Sequence, residues 1–105
     1  MQRVLFHLRI NPKKIDEYKA HHREVWPQMR AALTNAGWHN YSLFLTDDGL
    51  LTGYLECEDF ATCISEMALT EINTKWQEMM APYFVEIDTS PDGAMVSVEE
   101  VFHLD

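Results

Sequence analysis

The stretch Trp38-His39-Asn40-Tyr41-Ser42-Leu43-Phe44-Leu45-Thr46-Asp47-Asp48-Gly49-Leu50-Leu51-Thr52-Gly53-Tyr54-Leu55-Glu56-Cys57 decides the fold. Two apolar-rich runs flank Asp47-Asp48-Gly49, which is a hairpin signature. Residues 38–46 read as a strand with His39, Tyr41, Leu43 and Leu45 on one face and Trp38, Asn40, Ser42 and Phe44 on the other. Leu50 to Cys57 forms the returning strand.

Upstream, residues 3–10 alternate, with Val4, Phe6, Leu8 and Ile10 opposing Leu5, His7 and Arg9, and predict another strand. Asn11-Pro12 then opens a helix, Asn as N-cap and Pro at the first helical position. Its apolar periodicity runs to Ala36, and Gly37 is placed as a left-handed C-cap. Pro27 lies inside this span and predicts a kink there, because it removes the hydrogen bond to the Arg23 carbonyl. Downstream, Asp59 can cap a helix from Phe60 to about Leu69. Thr70 can cap a second piece with Ile72, Trp76, Met79, Met80 and Tyr83 on one broad face. Residues 84–94 read as an ordered loop, and 95–104 as a last strand with Val96, Val98, Phe102 and Leu104 in phase.

The order is therefore β-α-β-β-α-β over residues 1–105, one α+β domain without repeats or linkers. An antiparallel sheet covered on one side by helices, the ferredoxin-like arrangement, is the solution to that order. The uncovered sheet face carries apolar or aromatic residues in every strand. A second copy is the expected cover, giving a symmetric homodimer.

Composition narrows the partners. Of 105 residues 47% are hydrophobic and 11% aromatic, enough for a packed core without staples. The net charge of −9 argues against nucleic acid and against anionic membrane surfaces, and favours a neutral ligand. Cys57 and Cys63 form no CxxC pair and fit a reducing compartment. Met1 to Arg9 is too short and interrupted for a signal-peptide core, and no stretch is long enough to span a bilayer, so a cytoplasmic protein is expected.

Within the first helix, Ile15, Tyr18, His22, Val25, Met29 and Leu33 recur at steps of three and four. A neutral imidazole in such a stripe costs free energy to bury unless its nitrogens find partners. Tyr18 lies one turn before His22 and places a phenol beside it. His21 diverges from His22 by about 100° around a helix, while His7, His39 and His103 lie on strands and are candidates for the same cavity. No HExxH, no Cys/His pair at ligand spacing and no Gly-rich phosphate loop occurs. Tyr18, Trp26, Trp38, Tyr41 and Trp76 can each be core; aromatic faces also stack on the C–H-rich faces of sugar rings.

Tyr18-xxx-His22-xxx-Trp26-Pro27, then Gly37-Trp38-His39-Asn40-Tyr41-Ser42, then Trp76 and the terminal Glu100-Val101-Phe102-His103-Leu104 closely resemble the L-rhamnose mutarotase family, in order and over nearly the whole length. The resemblance implies a ferredoxin-like dimer of the α/β-barrel type with the sugar, L-rhamnose or a related aldose, between sheet and helices. His22 falls on the family's proton donor, and Tyr18 and Tyr41 fall on its substrate-contacting tyrosines. Many members carry two consecutive tryptophans; Lys75-Trp76 is read as the matching pair, with Trp76 keeping the second and Lys75 replacing the first. The Asn-Pro-Asp-Asn-Ser-Pro run of many members is missing after Tyr83.

Interconverting the anomers of an aldopyranose opens the hemiacetal, rotates the aldehyde and closes it again. This needs an acid at the ring oxygen and a base at the anomeric hydroxyl, and no cofactor, metal, nucleotide or covalent intermediate. Histidine can supply and recover a proton at neutral pH; the sequence does not identify the base. Two other readings share the fold class: a cofactor-free monooxygenase or haem-degrading enzyme, and a non-enzymatic small-ligand binding module.

Overall fold

In the computed structural model, which describes residues 1–85 and 95–105, alternation produces three strands. These are β1 (Gln2–Arg9), β2 (His39–Leu45) and β3 (Leu50–Cys57), all antiparallel and in the order β1-β3-β2. The hairpin puts β2 beside β3, and the register of β1 pairs Val4 with Leu55, Phe6 with Gly53 and Leu8 with Leu51. One face of the sheet is thereby apolar across the central pair. At Gly53 even a methyl group would lie 2.2 Å from the Phe6 ring, so the missing side chain lets Phe6 lie across β3.

Four helices cover that face: α1 (Ile15–Arg23), α2 (Pro27–Asn35), α3 (Phe60–Ala68) and α4 (Glu71–Met80). Ile15, Tyr18, Met29, Met67, Trp76 and Met80 join the strand residues in one core. Asn11 caps a single 3-10 turn (Pro12–Lys14) that leads into α1, its side chain accepting from the Lys13 N–H at 3.0 Å. Gly37, at φ +92°, closes α2: its N–H donates to the Thr34 carbonyl and that of Trp38 to the Leu33 carbonyl. This is the Schellman arrangement that a left-handed residue permits. Thr70 caps α4 as expected, accepting from the Asn73 N–H at 3.3 Å.

Two expectations are corrected. Pro27 does not kink one helix; it starts another. The residue before a proline is driven out of the helical region, and Trp26 sits at φ −54°, ψ 135°, so α1 ends at Arg23 and Pro27 takes the first position of α2. Residues 95–104 do not form a strand either. Ser97 makes one bridge to Phe6, and the Val98 N–H donates to the Leu5 carbonyl at 2.7 Å. The segment thus lies on the outer edge of β1, where a fourth strand belongs, without building a ladder. Most of its in-phase side chains stay in solvent: Val96 is 73%, Phe102 78% and Leu104 80% exposed. Packing, more than alternation, is what holds an edge strand.

Of the loop expected at 84–94, residues 86–94 lie outside the described residues; Phe84 bridges Ile10, and the Val85 N–H donates to the Arg9 carbonyl. The open face of the sheet presents Leu5, Phe44 and Tyr54, one from each strand, among polar neighbours such as Arg3, Thr52 and Glu56.

Candidate active site

Between the sheet and the helices lies a cavity of about 370 Å³, within the range of small-ligand sites, roughly 300–1,000 Å³. Phe6, Leu8 and Tyr41 reach it from the sheet, Tyr18 and His22 from α1, and Trp76 from α4. All four residues proposed from sequence as site residues, Tyr18, His22, Tyr41 and Trp76, line this one space.

The break before Pro27 matters for that convergence. The stripe begun in α1 by Ile15, Tyr18 and His22 continues through Val25 to Met29 of α2, so one apolar wall spans both helices. His22 lies in the last turn of α1, where its Nδ1–H donates to the Tyr18 carbonyl at 3.0 Å. Its ring stacks on Tyr18 with centroids 4.2 Å apart, and Trp76 meets it edge-on at 5.4 Å. Trp26 in turn meets Trp76 edge-on at 5.1 Å.

These surroundings set the proton chemistry. Burial holds the His22 pKa below the ordinary histidine value; the hydrogen bond to the Tyr18 carbonyl opposes the shift, and the neighbouring His21 adds to it. The ring is therefore neutral at pH 7, and with Nδ1 carrying the hydrogen, Nε2 is the basic atom. Burial drives the Tyr18 phenol far above its usual range, so it stays an O–H group and donates hydrogen bonds.

Tyr41 reaches the cavity by an irregularity that alternation does not foresee. Between His39 and Ser42 the register against β3 slips, and Asn40 adopts φ +48°. The extra residue of this bulge turns Trp38 and Tyr41 to the same side, where their rings lie 4.9 Å apart. The expected phase, with Trp38 opposing Tyr41, is thus corrected.

The other histidines do not join the site. His7 lies on the open sheet face against Thr52, His39 and His103 are exposed, and His21 contacts the Tyr83 hydroxyl at 3.1 Å. Lys75 is corrected as well: it is exposed and lies 4.0 Å from Glu71, one turn before it. The polar neighbour of Trp76 that lines the cavity is Gln77, together with Asn73 and Arg30. Sequence reasoning missed Asn73 and Gln77, although the steps 73, 76, 77 and 80 are those of one helical face. Cys57 is buried and its thiol is pushed up to about 11, by burial first and then by Cys63, so it is a poor nucleophile.

Among the described residues, no group of three His, Cys, Asp or Glu is placed to hold a metal, and no helix is long and apolar enough to cross a membrane. A ferredoxin-like sheet and helix layer enclosing an aromatic cavity, with one half-buried imidazole in its wall, defines a small enzyme for a compact ligand. Comparison with known proteins agrees on the class and sharpens it. This chain belongs to the L-rhamnose mutarotase family, whose sequence profile matches residues 3–104.

An L-rhamnose mutarotase of Oceanobacillus iheyensis is 44% identical over the full length of both chains, and that of Bacillus subtilis is 40% identical over 91% of each. The crystal structure of an L-rhamnose mutarotase from Formosa agariphila superposes with a TM-score of 0.79 at 27% identity, covering both chains completely. An antibiotic biosynthesis monooxygenase superposes with a TM-score of 0.63 at 22% identity, over 96% of this chain and 99% of its own. That likeness is one of fold alone.

Proposed function

We propose that this chain interconverts the α and β anomers of L-rhamnopyranose, with His22 carrying the proton between the two oxygens of the anomeric carbon. The observation that supports it is the His22 ring, neutral, hydrogen-bonded at Nδ1 and set in the cavity wall between Tyr18 and Trp76.

In the ring-opening step, Nε2 takes the proton of the anomeric hydroxyl. The electron pair left on that oxygen forms the aldehyde C=O, and the bond from C1 to the ring oxygen breaks toward that oxygen. The imidazolium just formed then returns its proton there. The two oxygens share one carbon, so a single nitrogen serves both, and His22 is base first and donor second. Rotation about C1–C2 followed by the reverse sequence closes the other anomer. Such a positioned proton carrier contributes about 10²–10⁴-fold in rate. The Tyr18 and Tyr41 hydroxyls hold sugar oxygens, Trp76 stacks on a C–H face, and no cofactor takes part. Exchange NMR of the anomeric protons of L-rhamnose tests this: line-broadening or saturation transfer rising with enzyme concentration supports it, and rates equal to buffer contradict it.

We further infer that residues 1–105 act as one domain, in the reducing cytoplasm, and as a homodimer. Phe44 on the open sheet face is 62% exposed, and Val101, Phe102 and Leu104 at the C-terminal end are 78–87% exposed, more apolar surface than a lone small chain leaves in water. Sedimentation at micromolar concentration is expected to give twice the chain mass; a monomer contradicts it.

A further inference from the structure

Among the described residues Asn73 is the one fully buried polar side chain, 3% exposed, and it lines the cavity. It lies on α4 one turn before Gln77, which is half-buried and lines the same wall. The Gln77 Nε2 donates to the Asn73 Oδ1 at 3.1 Å. A carboxamide has two N–H donors and an oxygen with two lone pairs. In this arrangement one Gln77 donor is spent on Asn73. Its second N–H and its Oε1 bond to no described residue, and the side chain lines the cavity wall.

Helix stability alone does not account for the pair. An i,i+4 amide pair contributes about 0.2–0.5 kcal/mol, and no buried side-chain polar atom of the described residues is left without a partner. The flanking wall positions, Met67, Trp76 and Met80, are apolar, so the two amides are the polar feature of this stretch of wall. A fixed donor beside a fixed acceptor matches two adjacent ring hydroxyls, one accepting and one donating.

We propose that Gln77, oriented by Asn73, reads two neighbouring hydroxyls of the sugar ring and sets which epimers the cavity accepts. Asn73 is a positioning residue that acts through Gln77. The inference rests on the mutarotase reading and adds a specificity-determining contact to it.

The test is anomer-exchange kinetics on L-rhamnose and on its 2-, 3- and 4-deoxy analogues, for the wild type, Gln77→Met, Asn73→Leu and Asn73→Asp. One lost hydrogen bond is expected to lower wild-type kcat/KM about tenfold for two adjacent deoxy analogues. In Gln77→Met, KM for L-rhamnose rises about tenfold with kcat nearly unchanged, the pattern of lost uniform binding. The same deoxy analogues then cost under about threefold, because the partner is already gone. Asn73→Leu moves the same way, and Asn73→Asp, which keeps the acceptor for Gln77, keeps the deoxy penalties closer to wild type than Asn73→Leu does.

Equal deoxy penalties in the wild type and Gln77→Met overturn the proposal, and wild-type behaviour of Asn73→Leu overturns the role of Asn73. Gln77 is only half-buried, so its variant reports even if Asn73→Leu fails to fold. A wild type that leaves L-rhamnose exchange at the buffer rate overturns the mutarotase reading instead.

Discussion

On the proposed mechanism, replacing His22 by alanine removes the proton carrier and little of the framework. Among the described residues the ring makes one hydrogen bond, to the Tyr18 carbonyl, and two aromatic contacts, stacked on Tyr18 and edge-on to Trp76. The hydrogen bond contributes about 0.5–1.5 kcal/mol net, and the two ring contacts roughly 0.5–1.5 kcal/mol each beyond burial. Their sum, about 1.5–4.5 kcal/mol before the lost burial of a half-buried ring, is smaller than the ~5–15 kcal/mol by which domains are stable, so the variant folds. The catalytic loss is of another size: about 10²–10⁴-fold, or ~2.7–5.4 kcal/mol of transition-state stabilisation. Exchange NMR on L-rhamnose, with circular dichroism to confirm the fold, separates the two effects. A folded His22→Ala protein that exchanges anomers within a few-fold of the wild type makes His22 structural and refutes the mechanism.

The remaining predictions concern the surroundings of that ring. Because burial lowers the His22 pKa and, on the proposed mechanism, the neutral ring starts the reaction, kcat/KM falls on the acid side with a midpoint below 6.5; an acid limb above 6.5 in a pH profile contradicts this. Tyr18→Phe and Tyr41→Phe each weaken sugar binding by ~0.5–1.5 kcal/mol with little change in melting temperature, and unchanged affinity of both by calorimetric titration removes them from the site. Gly53→Ala forces a methyl group into the Phe6 ring and lowers stability by about 1–3 kcal/mol in denaturant titration; a neutral effect means that Phe6 does not lie across β3.

Much of the site was legible because it sits on a helical stripe. Steps of three and four from Ile15 to Leu33 select the inward face whether or not the helix is continuous, so the break at Trp26-Pro27 changed the shape of α1–α2 without moving Tyr18 or His22 off the wall. Strand β2 was read in the wrong phase near its start because one left-handed residue, Asn40, inserts a bulge that period-two reasoning cannot register. Residues 95–104 carry strand alternation, yet strand formation depends on a packing surface that the single chain does not provide. At α4 the resemblance drew attention to Lys75, whereas helical geometry puts Gln77 beside Trp76 and sends Lys75 outward. Polar residues inside an apolar stripe were the signal there, the same signal that singled out His22.

The most direct measurement is the rate of anomer exchange catalysed by the wild-type chain on L-rhamnose beside L-fucose and D-glucose, read from anomeric proton NMR at equal sugar concentration. The account predicts catalysed exchange fastest on L-rhamnose. The other sugars follow at lower rates, because a single methyl or displaced hydroxyl is discriminated by only ~1–3 kcal/mol where no buried partner is stranded. Exchange of L-rhamnose at the uncatalysed rate contradicts the account.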